Sequence, residues 1–460
     1  MSMKYTVFFV MVLTIGSAGC GGSNVQIALP EPRPLGNEYG GFRPSDRPAE
    51  TADELARIEP VDVITLHHSL ARALMHNPRL RSYSWNVRAA EADRLQAGQL
   101  PNPEIEVEFD EVGGSGERKN FDGAGIYIKL SQLIELGGKR NKRIKLAAIE
   151  GQASGWDYET VRLAVFTDVV NAYVGVLAAQ QRLELTGELL RLSDELMRSV
   201  ARRVDAGKDS PLEETKAAVV LSNTRIQHQR AVRDVELARL RLASTWGGKD
   251  PEFEWAAGQL DSPSPVPPFE ELVALLMLNP EIARGALEAD RKKAALDLEK
   301  AIAIPDITIN GGVKRLNEFE ENVVVFGVEV PLPLFDRNQG GIRRAEYELA
   351  GINAEYEGIH SRIRMELADA YTELSSAYME AVELQQNVLD GAETVFVGSR
   401  KSYDQGKVDY LKLLDAQRTM FEVKVHYIDV LASYHSARAD VERLIGRSIN
   451  AEERSNREDE

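Results

Sequence analysis

The sequence predicts a mainly helical chain made of two similar halves, each a long hairpin, with four short strands set between the helices as two pairs. Three observations carry this reading. The chain repeats itself, its helical stretches are too long for a compact domain, and its strands alternate between an oily and a charged face.

The repeat comes first because it organises the rest. "HNPRL" at His76–Leu80 returns as "LNPEI" at Leu278–Ile282, and Pro103 returns as Pro305. "NAYVGVL" from Asn171 answers "DAYTELS" from Asp369, "VDAGKDSPL" from Val204 answers "YDQGKVDYL" from Tyr403, and "LASTWGG" from Leu242 answers "VERLIGR" from Val441. The offsets run from 198 to 202 in one order. The Pro-rich "DSPSPVPP" is the joint between the halves.

Each half reads helix, strand, strand, long helix, turn, helix. In the first, helix starts near Val63 and restarts at Pro78, where the missing amide proton is no loss in a first turn. Strands are expected at about Glu104–Asp110 and Gly125–Leu133, then helix from Lys139 to Asp205 with no internal proline. The second half gives helix from Phe269, strands near Asp306–Val313 and Val323–Val330, and helix from Gln339 to Asp404. Gly207 and Gly406 are placed to end the long helices in a left-handed turn. Return helices then run to Gly247 and Gly446. At 1.5 Å per residue each long helix spans about 100 Å, which suits a rod or tube. Leu411, Leu414, Phe421, Val425, Ile428 and Ala432 follow heptad spacing, interrupted by Arg418, as a tube wall or an ordinary bundle core would.

The strands have two-faced patterns. Ile105, Val107 and Phe109 alternate with Glu104, Glu106, Glu108 and Asp110. Ile126, Ile128 and Leu130 alternate with Tyr127, Lys129 and Ser131. Ile307, Ile309 and Val313, and then Val324, Phe326, Val328 and Val330, continue the pattern. Strands of 7 to 10 residues suit a tilted bilayer crossing, with the carboxylates on a water-filled lumen. Four strands cannot close a membrane barrel, and open edges cannot face lipid, so a homotrimer with twelve strands is the simplest complete object.

The N-terminus "MSMKYTVFFVMVLTIGSAGC" has the form of an export signal, with small residues before the single cysteine. Cys20 is the expected site of a covalent lipid, although Ser17 departs from the usual cleavage box. The domain boundaries follow: signal peptide 1–19, lipid-anchored tether 20–60, first repeat 61–260, linker 261–268, second repeat 269–446 and polar tail 447–460. No second apolar run of membrane length is expected.

The formal net charge of −17 argues against nucleic acid as a partner. One basic cluster, Lys139, Arg140, Lys142, Arg143 and Lys145, follows a strand, and Arg337, Arg343 and Arg344 stand in the matching place. These read as contacts to lipid headgroup phosphates, against the plainer reading of a solvated helix start. Asp205, Asp209, Asp404 and Asp409 at the two tight turns read either as an acidic ring at a channel entrance or as turn chemistry. Seven scattered histidines, nine dispersed methionines and an incomplete "GGK" point to no enzyme, metal site or cofactor besides the lipid.

The doubled layout, the "NP" helix starts, the proline-flanked strands and "YDQGKVDYLKLLDAQRTMFEVKVHYIDVLASYHSARADVERLIG" resemble the TolC-like outer-membrane efflux proteins, from about Val61 to Gly446. "SQLIELGGKRNKRIKLAAIE" and the lipidation-like start resemble their lipoprotein branch, which serves cobalt–zinc–cadmium or copper–silver exporters. The resemblance implies a trimeric twelve-stranded barrel continued into a periplasmic helical tunnel. It also implies a periplasmic adaptor docking at the "AGKDSP" and "DQGKVD" turns, and an inner-membrane RND-type pump. The implied function is a passive exit duct for heavy-metal cations. Ducts for drugs or for type I protein secretion are the alternatives, and a pore-less secreted coiled-coil lipoprotein is the alternative from another class.

Overall fold

The computed structural model describes residues 28–37, 39, 62–113, 115, 116, 119, 123–317 and 321–449. The signal peptide, Cys20, most of the tether and the end of the tail lie outside these residues. In chain order the elements of the first half are β1 (Val63–Ile64), α1 (Leu66–His76), α2 (Pro78–Ala97), β2 (Glu104–Asp110), β3 (Gly125–Ile134), α3 (Lys139–Asp205), α4 (Pro211–Ser244) and β4 (Trp255–Ala256). The second half has α5 (Phe269–Leu275), a 3-10 turn, α6 (Pro280–Ile302), β5 (Ile307–Leu316), β6 (Glu321–Glu329), α7 (Gln339–Glu383), a π-helical segment (Leu384–Val388), α8 (Leu389–Asp404) and α9 (Tyr410–Ile445). The 67-residue α3 and the strand β2 have the bounds the sequence implied.

The chain divides into two compact units. One comprises Ala89–Gln152 and Ala294–Ala345, and the other Pro30–Arg88, Ala153–Lys293 and Glu346 onward. The first contains one antiparallel sheet in the order β2-β3-β5-β6. In its turn from β3 into α3, Gly137 and Gly138 adopt φ values of +69° and +72°, a region that a Cβ makes costly. The "GGK" is therefore a backbone device. At the matching place after β6, Asn338 takes φ +56° and donates through Nδ2 to Glu299 O at 2.9 Å.

The second unit is a helical bundle. Its larger core joins Leu70, Leu74, Val165, Val169, Leu242, Ile363, Leu374 and Leu444, and a smaller one near the turns gathers Leu196, Val200, Phe396, Tyr403, Tyr410 and Leu413. The repeated asparagine–proline pairs acquire a physical reason here. The Asn77 side-chain oxygen accepts from Leu80 N at 2.9 Å, while its amide donates to Thr245 O at 2.6 Å. Asn279 likewise accepts from Glu281 N and donates to Leu444 O, both at 2.9 Å. Each asparagine caps the helix whose first residue is the following proline and also satisfies a carbonyl at the end of the return helix. The shorter leg of each hairpin is spliced in this way.

Four expectations need correction. Val63 opens a short strand rather than a helix: Val63–Ile64 pairs in parallel with Trp255–Ala256, and the Tyr173 hydroxyl donates to Ala257 O at 2.5 Å beside it. The second long helix is not continuously α, because the π segment interrupts it. Leu411 is 49% exposed, since the deepest face of α9 is instead Tyr410, Leu413, Ala416 and Met420. Lastly, α3 does contain an 18-residue window apolar enough to cross a membrane, but 67% of it is buried in the protein, as suits a core helix.

Residues 30–37, whose sequence suits either an extended tether or a segment draped on the body, pack on the bundle. Leu35 N donates to Gly446 O at 3.1 Å, Arg33 N donates to Glu159 Oε1 at 2.6 Å, and the Arg33 guanidinium lies 4.6 Å from the Trp156 ring centre. Glu159 and Arg162 form a buried ion pair beneath them at 2.7 Å.

Candidate functional site: a two-faced sheet and a clasped tip

Cross-strand register decides which side chains share a face. Val107 stands opposite Ile128, Ile128 opposite Val313, and Val313 opposite Val324. The next row is Ile105, Leu130, Gly311 and Phe326. These side chains are exposed, from 39% at Val313 to 79% at Phe326. An oily face this continuous marks an interaction or membrane surface. Leu332, Leu334 and Phe335, just after β6, extend the exposed apolar surface, Phe335 at 90%.

The other face is polar but not uniformly acidic. Glu106 forms an ion pair with Lys129 on β3, and Asp110 with Lys314 on β5. The second pair spans the intervening strand at Gly125, where a Cβ would collide with the Asp110 carboxylate and lie 2.9 Å from Lys314 Cε. Glu104 and Glu108 have no direct cation partner among the described residues, so only half of the expected carboxylates are unneutralised. Sequence reasoning missed both lysines as partners, although alternation already put Lys129 on the charged face.

The basic cluster also divides. Lys139 is 8% exposed and bonds Asp306 Oδ1 at 2.7 Å, the same carboxylate that caps Leu136 N at 2.9 Å. Arg143 forks onto Glu135, with Nη2 donating to Oε2 at 3.0 Å. Lys139 is thus buried and committed inside the protein, which corrects its reading as a headgroup contact, while Arg143 is paired but stays about a third exposed, its side chain at 32%. Arg140 donates through Nε to Gly98 O at 2.6 Å, and Arg337 donates to Pro333 O at 3.2 Å while staying exposed. Arg343 is exposed.

At the two turns the four aspartates separate by role. Asp409 is the N-cap of α9, accepting from Lys412 N at 3.1 Å, and Ser210 does the same for α4. Asp205 and Asp404 are the last residues of α3 and α8. Asp209 does something else: its carboxylate takes Arg203 Nε at 2.7 Å and Nη2 at 2.9 Å, and the Tyr403 hydroxyl at 3.0 Å. Arg203 also donates to Tyr403 O at 3.3 Å and lies 4.7 Å from its ring centre. The Arg203 fork holds the Asp209 carboxyl below its ordinary range, and burial, followed by the hydrogen bond to that carboxylate, raises the Tyr403 phenol. This clasp joins the turn regions of both halves. The repeat hid it, because Asp209 aligns with Val408 and Tyr403 with Val204.

The comparisons agree with this geometry. The family model described as outer membrane efflux protein matches residues 70–248 and again 272–447, one match per half. The cobalt-zinc-cadmium resistance protein CzcC of Cupriavidus metallidurans is 32% identical over 389 residues, covering 85% of this chain and 91% of that protein. The nickel and cobalt resistance protein CnrC of the same organism is 26% identical over 317 residues, 68% of this chain and 73% of that protein. Among solved structures, CusC superposes with TM-score 0.70 at 18% identity over 89% of this chain and 99% of its own. The open state of the MtrE outer membrane channel of Neisseria gonorrhoeae gives 0.70 at 18% over 92% and 98%. The chain belongs to the outer membrane efflux protein family and is the outer-membrane member of an efflux system.

Proposed function

We propose that three copies of the chain close their sheets into a twelve-stranded barrel and that this barrel, continued by the helices, is a passive exit duct for heavy-metal cations. The observation that carries the barrel is the exposed apolar face running in register across all four strands, opposite a charged one. In lipid that face is stabilised, while the outer edges of β2 and β6 need partners that one chain lacks. The cargo class is supported by the similarity to CzcC and CnrC. The pump and the periplasmic adaptor are supported by membership of the efflux family. Cells lacking this protein are expected to become sensitive to cobalt, zinc or cadmium while keeping their tolerance of lipophilic drugs. The opposite pattern in a growth-inhibition panel would assign the duct to drugs.

Anchoring is the second part of the proposal. Cys20 carries lipid after removal of residues 1–19, supported by the apolar run and small residues before it. Radiolabelled palmitate is expected to enter the wild-type chain and not the Cys20→Ser variant. Equal labelling of the two would move the anchor elsewhere.

A further inference from the structure

After Glu329, the last residue of β6 paired to β5, the chain runs "VPLPLFDRN" before α7 begins. Pro331 and Pro333 have no amide proton, so a neighbouring strand cannot be laddered along this stretch. The alternation of the oily sheet face nevertheless outlasts the ladder. Val324, Val328 and Val330 are followed in the same phase by exposed Leu332 and Leu334, and Phe335 completes the run. An irregular loop thus extends an apolar surface that belongs to a sheet.

The backbone of this loop is answered from within. Leu332 O accepts from Leu334 N at 2.8 Å. Pro333 O accepts from Arg337 Nε at 3.2 Å, and Leu334 O accepts from Arg337 Nη2 at 3.5 Å. Phe335 O accepts from Gln339 Nε2 at 3.0 Å, and Arg337 N donates to Gln339 Oε1 at 2.8 Å. Four successive carbonyls therefore have partners inside the loop, while its apolar side chains stand outward. In water such self-sufficiency brings little, because solvent serves any carbonyl. Against lipid it removes the main penalty, which falls on unpaired backbone groups.

The first half has no such loop. The helices that follow the two sheet hairpins begin at Lys139 and Gln339, each after a residue with positive φ, Gly138 and Asn338. Counted from these starts, Phe335 takes the place of Glu135 and Arg343 that of Arg143. In the first half the two side chains form an ion pair. In the second the carboxylate has become a phenyl ring, and Arg343 is exposed, with no bonded carboxylate among the described residues. One turn is closed on itself, and the other offers an oily tip beside two exposed cations, Arg337 and Arg343.

We infer that residues 332–335 insert into a phospholipid leaflet at the boundary between acyl chains and headgroups, with Arg337 and Arg343 at the lipid phosphates. The boundary suits the loop better than the hydrocarbon core, which admits helices and closed sheets but no lipid-exposed irregular backbone. Cations beside an apolar wedge match the anionic headgroup layer. Each chain then carries one such wedge, from its second half only. The inference deepens the barrel reading above and rests on it.

The test uses the full-length lipoprotein in vesicles of phosphatidylethanolamine and phosphatidylglycerol. Nitroxide labels are placed through Leu332→Cys, Phe335→Cys, Asp336→Cys or Val107→Cys, with the unsubstituted chain as background. Collision with oxygen reports lipid, and collision with a water-soluble nickel chelate reports solvent. The oxygen-to-nickel ratio is expected to be severalfold higher at 332 and 335 than at 336, and highest at 107. Adding Arg337→Met, which releases two carbonyls, is expected to lower the ratio at 335 severalfold and leave that at 107 unchanged. If the label at 335 meets the chelate as freely as that at 336 while 107 stays in lipid, the inference is overturned and the barrel stands. If the label at 335 is shielded from both reagents, protein covers the loop and the inference is equally overturned. If the label at 107 is also open to the chelate, both readings fall.

Discussion

Val107→Arg is expected to abolish assembly into the outer membrane, whereas Glu104→Gln combined with Glu108→Gln is expected to leave assembly intact and lower cation preference. Val107 is 51% exposed in the centre of a row with Ile128, Val313 and Val324. In the proposed barrel an arginine there would face lipid at about mid-depth and cost roughly 2–4 kcal/mol per subunit. Three copies make that cost comparable to the whole stability of a modest domain. The glutamates are on the opposite face and are the two without direct cation partners among the described residues, so in the proposed barrel their charge would reach the lumen least compensated. Planar-bilayer reversal potentials in a salt gradient are expected to move toward zero for the double glutamine variant. Raised salt should shrink the difference, since screening acts over about 8 Å at physiological strength. Glu106 and Asp110 are less suitable targets, because removing either strands Lys129 or Lys314. A Val107→Arg protein that forms normal trimers would show that this face does not meet lipid.

Asp209→Ala is expected to loosen the tip. The carboxylate holds both Arg203 nitrogens and the Tyr403 hydroxyl, and its loss leaves a partly buried guanidinium and a buried phenol without their partner. Hydrogen bonds to a charged group contribute about 1.5–3 kcal/mol each, so the balance between clasped and released turns shifts by at least tenfold per subunit. Single-channel recordings are expected to show larger or longer openings, and Tyr403→Phe a smaller change in the same direction. The pH dependence has a definite sign. Because the Asp209 carboxyl titrates below its usual range, the clasp is fully present at neutral pH. It is lost only as pH falls through that lowered value, below the ordinary aspartate pKa of 3.8. Openings unchanged by Asp209→Ala would remove the clasp from any gating role.

The pattern-borne features were legible in sequence: the halves, the long first helix to both its ends, and every strand of the four-stranded sheet to within three residues at either end. Alternation and helical periodicity are local, and local signals survive without a partner. Asp209 was legible as one of four equivalent turn acids and not as the unique one, because its partners Arg203 and Tyr403 come from two different halves. Lys139 was misread for the same reason: Asp306, which holds it, is far away in sequence. The β1–β4 pair escaped because two residues carry too little pattern to compete with the adjoining helix.

The π segment at Leu384–Val388 has a consequence for how a duplicated gene can drift. Before it the halves match at 198, as at Val165 and Ile363, and beyond it at 199, as at Val204 and Tyr403, so the stretch between these landmarks is one residue longer in the second half. In a plain α-helix an inserted residue rotates everything beyond it by about 100°, which would carry Phe396 and Tyr403 out of the core. A π turn absorbs the addition locally, as a leap day keeps a calendar in phase. Length changes in one half are thus tolerated where they fall in this segment and punished elsewhere in the long helices.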